Sequence, residues 1–383
     1  MHFALTDEQS QIREMVGTLA RREFAPRAAE IDETSRFPEE NLARLAELGL
    51  LGMLVPEEYG GSETGAVAYA AALSEIAYGC ASTAVITAVT NMVAETVWRF
   101  GSEAQRKRFL PVLTAGRKGI GAFALTEPGA GSDAQSLSTT AVRDGEDYLL
   151  NGTKVFITNG DRAAVTVVMA VTGKREGRRE ISAFLVEAGT PGCSVGPREK
   201  KMGLTGSGTV SLAFDDCRVP AENLLGSPGD GFRIAMSALD GGRIGIAAQA
   251  VGIGRAAIDT ATAYVRERRQ FGQAVSGFQA IRWMIADAAT ELDAAWLMIC
   301  RAAWRKEKGL SFGREASMAK LFATEAGNRA CHKAVQMLGG YGYIREYPVE
   351  RHLRDIKVAT IYEGTSEIQR ILVSRGLLGR NGG

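Results

Sequence analysis

Residues Ile361–Arg370 read IYEGTSEIQR and set one carboxylate, Glu363, between an apolar pair and the start of a helix. Ile361 and Tyr362 precede it, and Gly364 frees the backbone. Ser366 with Gln369 predicts a capping box that opens a last helix turning Ile368, Ile371 and Leu372 inward. A carboxylate at such a junction is costly unless it is paired or its proton affinity is tuned, and general bases are set up in that way. A plain surface glutamate near a helix N-terminus is the competing reading.

Back from this helix, helical periodicity fills segments near 349–360, 311–338, 276–308 and 231–268. From about 119 to 228 the period changes to two, with Asp144-Gly145, Asn151-Gly152 and Asn159-Gly160 as hairpin signals. Val165–Val171 and Ile181–Val186 are strand-like, and Val210, Leu212 and Phe214 alternate with Thr209, Ser211 and Ala213. Before residue 118 the chain is helical again. Thr6 and Gln9 form a capping box, Pro38 suits a first turn before Leu42 and Leu45, and Gly49 ends that helix. The alanine-rich run Ala66–Phe100 reads as buried helix because it carries Glu75, Asn91 and Glu95, and Ser102 caps the helix after Gly101. Three domains are expected: helical 1–118, β 119–228 and helical 229–383.

A chain of 383 residues with 45% hydrophobic content buries a large core in two or three domains. Forty-five basic against forty-four acidic residues leave +1, which supports neither nucleic acid nor a membrane surface as partner. Arg268-Arg269 has no aromatic interleaving that would change this. Cys80, Cys193, Cys217, Cys300 and Cys331 lack Cys-x-x-Cys spacing, so neither a zinc site nor a disulfide framework is indicated and a reducing compartment fits. His2, His332 and His352 are far apart, so no metal site and no Ser/His/Asp triad is expected. The start MHFALTDEQSQIREM has no basic n-region followed by an apolar core, and no stretch reaches the ~18 apolar residues of a membrane span, so a protein without membrane insertion is expected, cytoplasmic or at most processed before this numbering begins.

At the head of the β block, Gly129–Ala134 satisfies G-x-G-x-x-A. That fingerprint needs a strand before it and a helix after it, whereas Leu137 to Arg143 alternate into an Asp-Gly hairpin, so a Rossmann fold is not expected. The loop still suits a ligand, with exposed backbone amides and the hydroxyls of Thr126 and Ser132. A purely structural loop is the alternative.

TEPGAGSD at 126–133 and IYEGTSEIQR at 361–370 occur with VFITNG at 155–160, LDGGRIGIA at 239–247, RRQFGQ at 268–273 and QMLGGYGY at 336–343. Together they resemble the acyl-CoA dehydrogenase family over essentially the whole chain and in the family's order. The resemblance implies an α+β fold: an N-terminal helical domain, a middle β-barrel or sandwich-like domain and a C-terminal four-helix bundle. It implies FAD as cofactor and an acyl-CoA substrate, with Glu363 as catalytic base. Such a base removes the Cα proton of the thioester while Cβ gives hydride to the flavin, so it lies across the substrate from the ring. In the family the thioester oxygen is met by the base's own backbone N–H and a flavin ribityl hydroxyl, an arrangement in which one lost donor costs ~3 kcal/mol.

By the same resemblance, Phe123, Leu125, Thr126, Gly131 and Ser132, with Phe156, Ile157 and Thr158, surround the isoalloxazine. Phe156 stands where many relatives have Trp. Arg268, Phe271, Gln279, Gln336, Met337, Gly339 and Gly340 bind the adenine and pyrophosphate end, Arg268 and Gln279 reaching from a neighbouring subunit. Thr365, Ser366 and Glu367 touch the dinucleotide at a helix start. Ser132, Asp240, Gly241, Gly242, Arg243, Tyr362 and Gly364 contact the substrate. Relatives resembling isovaleryl-CoA dehydrogenase carry their base just before that Arg. Gly242 stands there in this chain, which leaves Glu363 as the base. The closest resemblance is to short-chain and short-branched-chain members, implying a homotetramer, a dimer of dimers, that passes electrons to electron-transferring flavoprotein. An oxygen-reducing acyl-CoA oxidase, a nitroalkane-oxidase-like enzyme, which would carry Asp as base, and a non-catalytic scaffold are the alternatives.

Overall fold

The computed structural model describes residues 4–116 and 119–379. His2, the expected domain boundary at residue 118 and the closing Asn381-Gly382-Gly383 lie outside them.

In the N-terminal part, α1 (Asp7–Leu19) opens on the Thr6–Gln9 box, both halves of which are formed. A π-helical turn, Ala20–Phe24, leads to α2 (Ala25–Thr34), and α3 (Glu39–Glu47) begins directly after Pro38. The run expected as one helix is two, α4 (Gly65–Gly79) and α5 (Ala81–Phe100), because Cys80 between them is extended at φ −154°. Gly79 lies so close to the end of α1 that a Cβ there would sit 2.7 Å from the Ala20 carbonyl oxygen. That approach sets the corner, and composition does not advertise it. The basic helix α6 (Glu103–Ala115) carries the expected Ser102–Gln105 box.

The middle part holds β1 (Ile120–Ala124), β2 (Thr140–Asp144), β3 (Asp147–Thr158), β4 (Ala163–Arg175), β5 (Arg178–Glu187), β6 (Cys193–Val195), β7 (Thr209–Pro220) and β8 (Leu224–Leu225). They form one sheet in the order β6-β7-β3-β2-β4-β5-β8, with β1 parallel to β4. Asp144-Gly145 is a hairpin turn, since Asp144 pairs with Asp147. Asn151-Gly152 is not. It sits inside β3 where the register with β7 shifts, Gly152 holding φ +146° against Thr139 while Asn151 bonds to Asp216. A bulge borrows the same dipeptide chemistry as a turn. Leu150, Val210 and Phe214 share one core with Val168, Ala170 and Phe184, so the sheet folds over on itself in the expected sandwich-like way. The other face of β4 and β5 packs Val167, Met169 and Leu185 on Val93, Val97 and Phe109 of α5 and α6. Burial on both faces explains why β4 reads as a continuous apolar run.

The C-terminal part contains α7 (Gly231–Glu267), the short hairpin β9 (Arg269–Gln270) and β10 (Gln273–Ala274), α8 (Gln279–Glu307), α9 (Gly313–Leu338), α10 (Val349–Lys357) and α11 (Ser366–Leu378). Small residues let these helices approach closely. The buried row Ala295, Ala302, Ala316, Ala319 and Ala323 belongs to a core that joins α7, α8 and α9 to α4. Among the described residues no helix is long and apolar enough to cross a membrane. The site described next lies where α5, α7, α9 and α11 meet the open end of the sheet.

Candidate active site

Glu363 sits in a left-handed turn, with φ +55° there and +90° at Gly364. A glutamate in that region costs about 1 kcal/mol or more, so the surroundings must hold it. Three side-chain bonds do. Gln369 Nε2 donates to the Glu363 and Gly364 carbonyls at 3.1 and 3.0 Å, and Lys320 Nζ of α9 donates to the Gly364 carbonyl at 2.7 Å. The expected Ser366–Gln369 capping box is therefore absent. Thr365 is the N-cap, its Oγ1 accepting from the Ile368 N–H at 3.3 Å, and Ser366 donates to Glu325 at 2.7 Å. Gln369 is needed for the turn and so is unavailable to the cap. Among the described residues no acceptor is bonded to the Glu363 N–H itself.

The carboxyl group rests on α7 at Gly242, where a Cβ would come within 2.7 Å of Oε2. Oε2 is buried and lacks a hydrogen-bond partner among the described residues. Burial pushes the Glu363 pKa up to about 7 against the opposing pull of Arg243 and Lys320. A carboxyl group that exchanges its proton near neutrality is what general-base chemistry requires. Arg243, only 4% exposed, is paired with Asp240 and keeps an unpartnered Nε. Tyr362 donates its hydroxyl to Gln249, which donates in turn to the Ala81 carbonyl at 3.1 Å.

Glu363 stands on a wall shared by two cavities of about 640 and 600 Å³. Thr126, Gly131, Ser132, Phe156, Thr158, Tyr362 and Gly364 line both. The first continues past Phe123, Leu125, Ile157 and Arg243 to Val89, Met92, Phe232 and Met236 of α5 and α7. Ile368, Ile371 and Leu372, expected to turn inward, border it too, so the apolar face of α11 closes this cavity, and Ile371 stays 43% exposed. The second cavity adds Thr365, Lys201, Met202, Leu204 and Lys357. Phe156 reaches both because β3 slips its register against β7 there and takes φ +58°, which swings the ring off the ladder and leaves it 66% exposed. The loop at 126–133 runs into extended chain and then β2, so the helix a Rossmann fingerprint needs is missing.

Other expected residues stand elsewhere. Arg268, Gln336, Met337, Gly339 and Gly340 line a separate cavity of about 520 Å³ that shares no residue with the two at Glu363. Phe271, 92% exposed at the hairpin tip, and Gln279, exposed at the start of α8, border none of the three. Within one chain these residues are not brought to Glu363. Asp240 and Gly241 line neither cavity: Asp240 pairs with Arg243, and Gly241 faces the Glu95–Lys306 ion pair, whose length is 2.6 Å. Glu367 is exposed, and Ser366 is turned to Glu325.

The sequence reading missed Lys320, Gln249, Gln369 as a backbone clamp, and the pair Glu127–Lys154. The signal for Lys320 was a charge at a core position, beside Ala316, Ala319 and Ala323 on α9. Glu127 and Lys154 are sealed at 2.7 Å, with side-chain exposures of 1% and 0%. Glu127 also accepts from the Ser138 and Thr139 N–H groups at 2.6 and 3.0 Å, and Lys154 donates to the Leu125 carbonyl at 3.1 Å. The pair ties the glycine-rich loop to β3.

The family models for the N-terminal, middle and C-terminal domains of acyl-CoA dehydrogenase match residues 6–117, 122–217 and 229–378. The short-chain specific acyl-CoA dehydrogenase of Clostridium acetobutylicum is 45% identical over 375 residues, covering 98% of this chain and 99% of its own length. The solved butyryl-CoA dehydrogenase of Megasphaera elsdenii superposes with a TM-score of 0.96 at 42% identity, over 99% of this chain and all of that one. A Mycobacterium smegmatis glutaryl-CoA dehydrogenase in complex with FADH2 gives 0.93 at 31% identity, over 98% and 96% of the two chains. With all three domains of one family matched in order around a glutamate whose Oε2 is buried and unpartnered among the described residues, this chain belongs to the acyl-CoA dehydrogenase family.

Proposed function

We propose that this enzyme dehydrogenates a short-chain acyl-CoA between Cα and Cβ to the trans-2-enoyl-CoA, with Glu363 taking the Cα proton. The observation that carries this is the Oε2 atom, buried without a partner on the wall common to two cavities. FAD is the family's cofactor, and the residues present fit it. Gly131 has open space where a Cβ would stand, and the Thr126 and Thr158 hydroxyls are bonded to nothing among the described residues. Thr126, Ser132, Phe156 and Thr158 would hold the ring, with the first-turn amides of α11 towards the phosphates. Bound there, the flavin supplies the hydride acceptor.

The chain's own contribution is placement and proton transfer. Val89, Met92, Phe232 and Met236 keep water from the acyl chain. The Glu363 carboxylate takes the Cα proton at Oε2, and its free N–H is available to the thioester oxygen as charge builds there. The Gly242 surface seats the carboxyl group, and the nearby Arg243 charge favours its ionised form. Gly242→Ala should therefore slow flavin reduction by about 100-fold at unchanged FAD content, since a displacement near 1 Å at the reacting centre costs that much. A Gly242→Ala variant that bleaches at the wild-type rate would show that this seat is unimportant.

Branched short-chain substrates, a homotetramer and electron-transferring flavoprotein as acceptor belong to the same reading, as do the divisions near residues 118 and 228. The exposed Phe271 and the remote Arg268 cavity fit a neighbouring subunit's contribution to the flavin site. Five free cysteines fit the cytoplasm. Anaerobic titration of the yellow protein with straight, branched and cyclic acyl-CoAs tests the proposal. Butyryl-CoA or a short branched ester should bleach the flavin most completely. Bleaching only by long-chain esters would refute the short-chain assignment, and rapid oxygen uptake on readmitting air would make the protein an oxidase.

A further inference from the structure

Lys320 lies wholly inside the C-terminal helices, at 0% exposure, on the face of α9 that otherwise presents Ala316, Ala319 and Ala323. A buried ammonium is expensive unless it is paired. Among the described residues no carboxylate lies within ion-pair distance of it, and its hydrogen-bond acceptor is a backbone carbonyl, that of Gly364. Apolar packing alone would be better served by Met or Leu at this position. The cost of keeping a charge here points to the turn it touches.

We propose that Lys320 is the positioning residue of Glu363: its ammonium clamps the Gly364 carbonyl, holds the left-handed Glu363–Gly364 turn together with Gln369, and sets a positive charge behind the carboxyl group. The inference rests on the reading of Glu363 as base. The clamp shares its acceptor with Gln369 Nε2, so two donors converge on the carbonyl next to the residue whose φ is +55°. A turn held at one carbonyl by two buried donors cannot relax to negative φ without leaving a donor unsatisfied.

The electrostatic part involves every group facing the pair. Glu363 is faced by Arg243 from α7 and Lys320 from α9, both favouring its charged form, and by the buried hydroxyls of Tyr69 and Tyr362. Lys320 is faced by Glu363, Arg243, Glu325 and Glu367, and burial pulls its own pKa down to about 8. Lys320 is therefore mostly charged at pH 7, where Glu363 is about half ionised. Removing that charge makes the carboxyl group harder to ionise.

The test uses the holoenzyme labelled with 13C at glutamate Cδ, the Glu363 signal being assigned by its loss in Glu363→Gln. Wild type should titrate near 7, Lys320→Met about one unit higher, and Lys320→Arg, which keeps charge and donor, close to wild type. Lys320→Gln keeps a donor but not the charge and should shift as Met does. At pH 7 a one-unit rise lowers the ionised fraction about five-fold, and the rate of bleaching by butyryl-CoA should fall at least that far in Lys320→Met. An unchanged midpoint in Lys320→Met, or no recovery in Lys320→Arg, overturns the proposal. So does a failure of both Met and Gln variants to fold, since Lys320 would then be a general element of the bundle. If Glu363→Gln bleaches normally while the Lys320 variants shift the titration, the base assignment fails and the positioning stands.

Discussion

Glu363→Gln should give a yellow protein that binds butyryl-CoA and yet reduces its flavin at least ~100-fold more slowly than wild type, the lower end of what a positioned base contributes. Gln is nearly isosteric, rests on the same Gly242 surface and leaves the Gln369 and Lys320 bonds untouched, because those go to backbone carbonyls. The loss would then report the missing base and not a collapsed turn. Stopped-flow bleaching under anaerobic conditions measures it, and undiminished reduction would remove Glu363 from the chemistry. The same variant has a stability consequence of opposite sign. Burial raises the Glu363 pKa from 4.5 to about 7, so the folded state carries no penalty below pH 4.5, an increasing one between 4.5 and 7, and the full penalty above. Its upper bound is roughly 3 kcal/mol. Glu363→Gln should therefore melt higher than wild type at pH 8, with the gap closing towards pH 4.5, and a gap independent of pH would contradict the raised pKa.

The second large effect belongs to the ion pair beneath the glycine-rich loop. Lys154→Met leaves the Glu127 carboxylate sealed from water with its cation gone, and removing one member of such a pair costs about 3–5 kcal/mol. The thermal midpoint should fall by about 5 °C or more. FAD content should fall with it, because Glu127 anchors the segment that carries Thr126, Gly131 and Ser132 to β3 and to the start of β2. Adding Glu127→Gln to Lys154→Met removes the stranded charge but keeps an acceptor for only one of the Ser138 and Thr139 N–H groups, which bond to different carboxylate oxygens, so part of the stability should return. A single variant as stable as wild type would show that the pair does nothing. Burial alone would raise the Glu127 pKa, but hydrogen bonds from Lys154, Ser138 and Thr139 carry it down to about 2. Its stabilisation is thus complete above 4.5 and is lost as pH falls towards 2.

Much of this was legible in the chain. The two Ser/Thr capping boxes at Thr6 and Ser102, the alternation of Val210, Leu212 and Phe214, and the position of Glu363 ahead of a helix each rest on residues no more than a few positions apart. Local propensity and periodicity decide such features. The errors came where a contact outside the local motif outvoted the signal within it. Cys80 breaks a helix because Gly79 meets Ala20, Gly152 makes a bulge because it meets Thr139, and Gln369 serves a turn six residues back instead of a cap.

Sequence by itself determined the order of helical and β segments, the place of one candidate base, and the glycine-rich loop in front of the strands, because spacing along the chain encodes which face of an element is apolar. Tertiary structure alone decided that Gly242 seats the carboxyl group, that Lys320 and Gln369 hold its turn, and that Lys154 secures the loop. Apart from Gln369, which reaches five and six positions back, these contacts join residues from 27 to 121 positions apart, and whether a buried charge is a fault or a device depends on which partner folding brings to it.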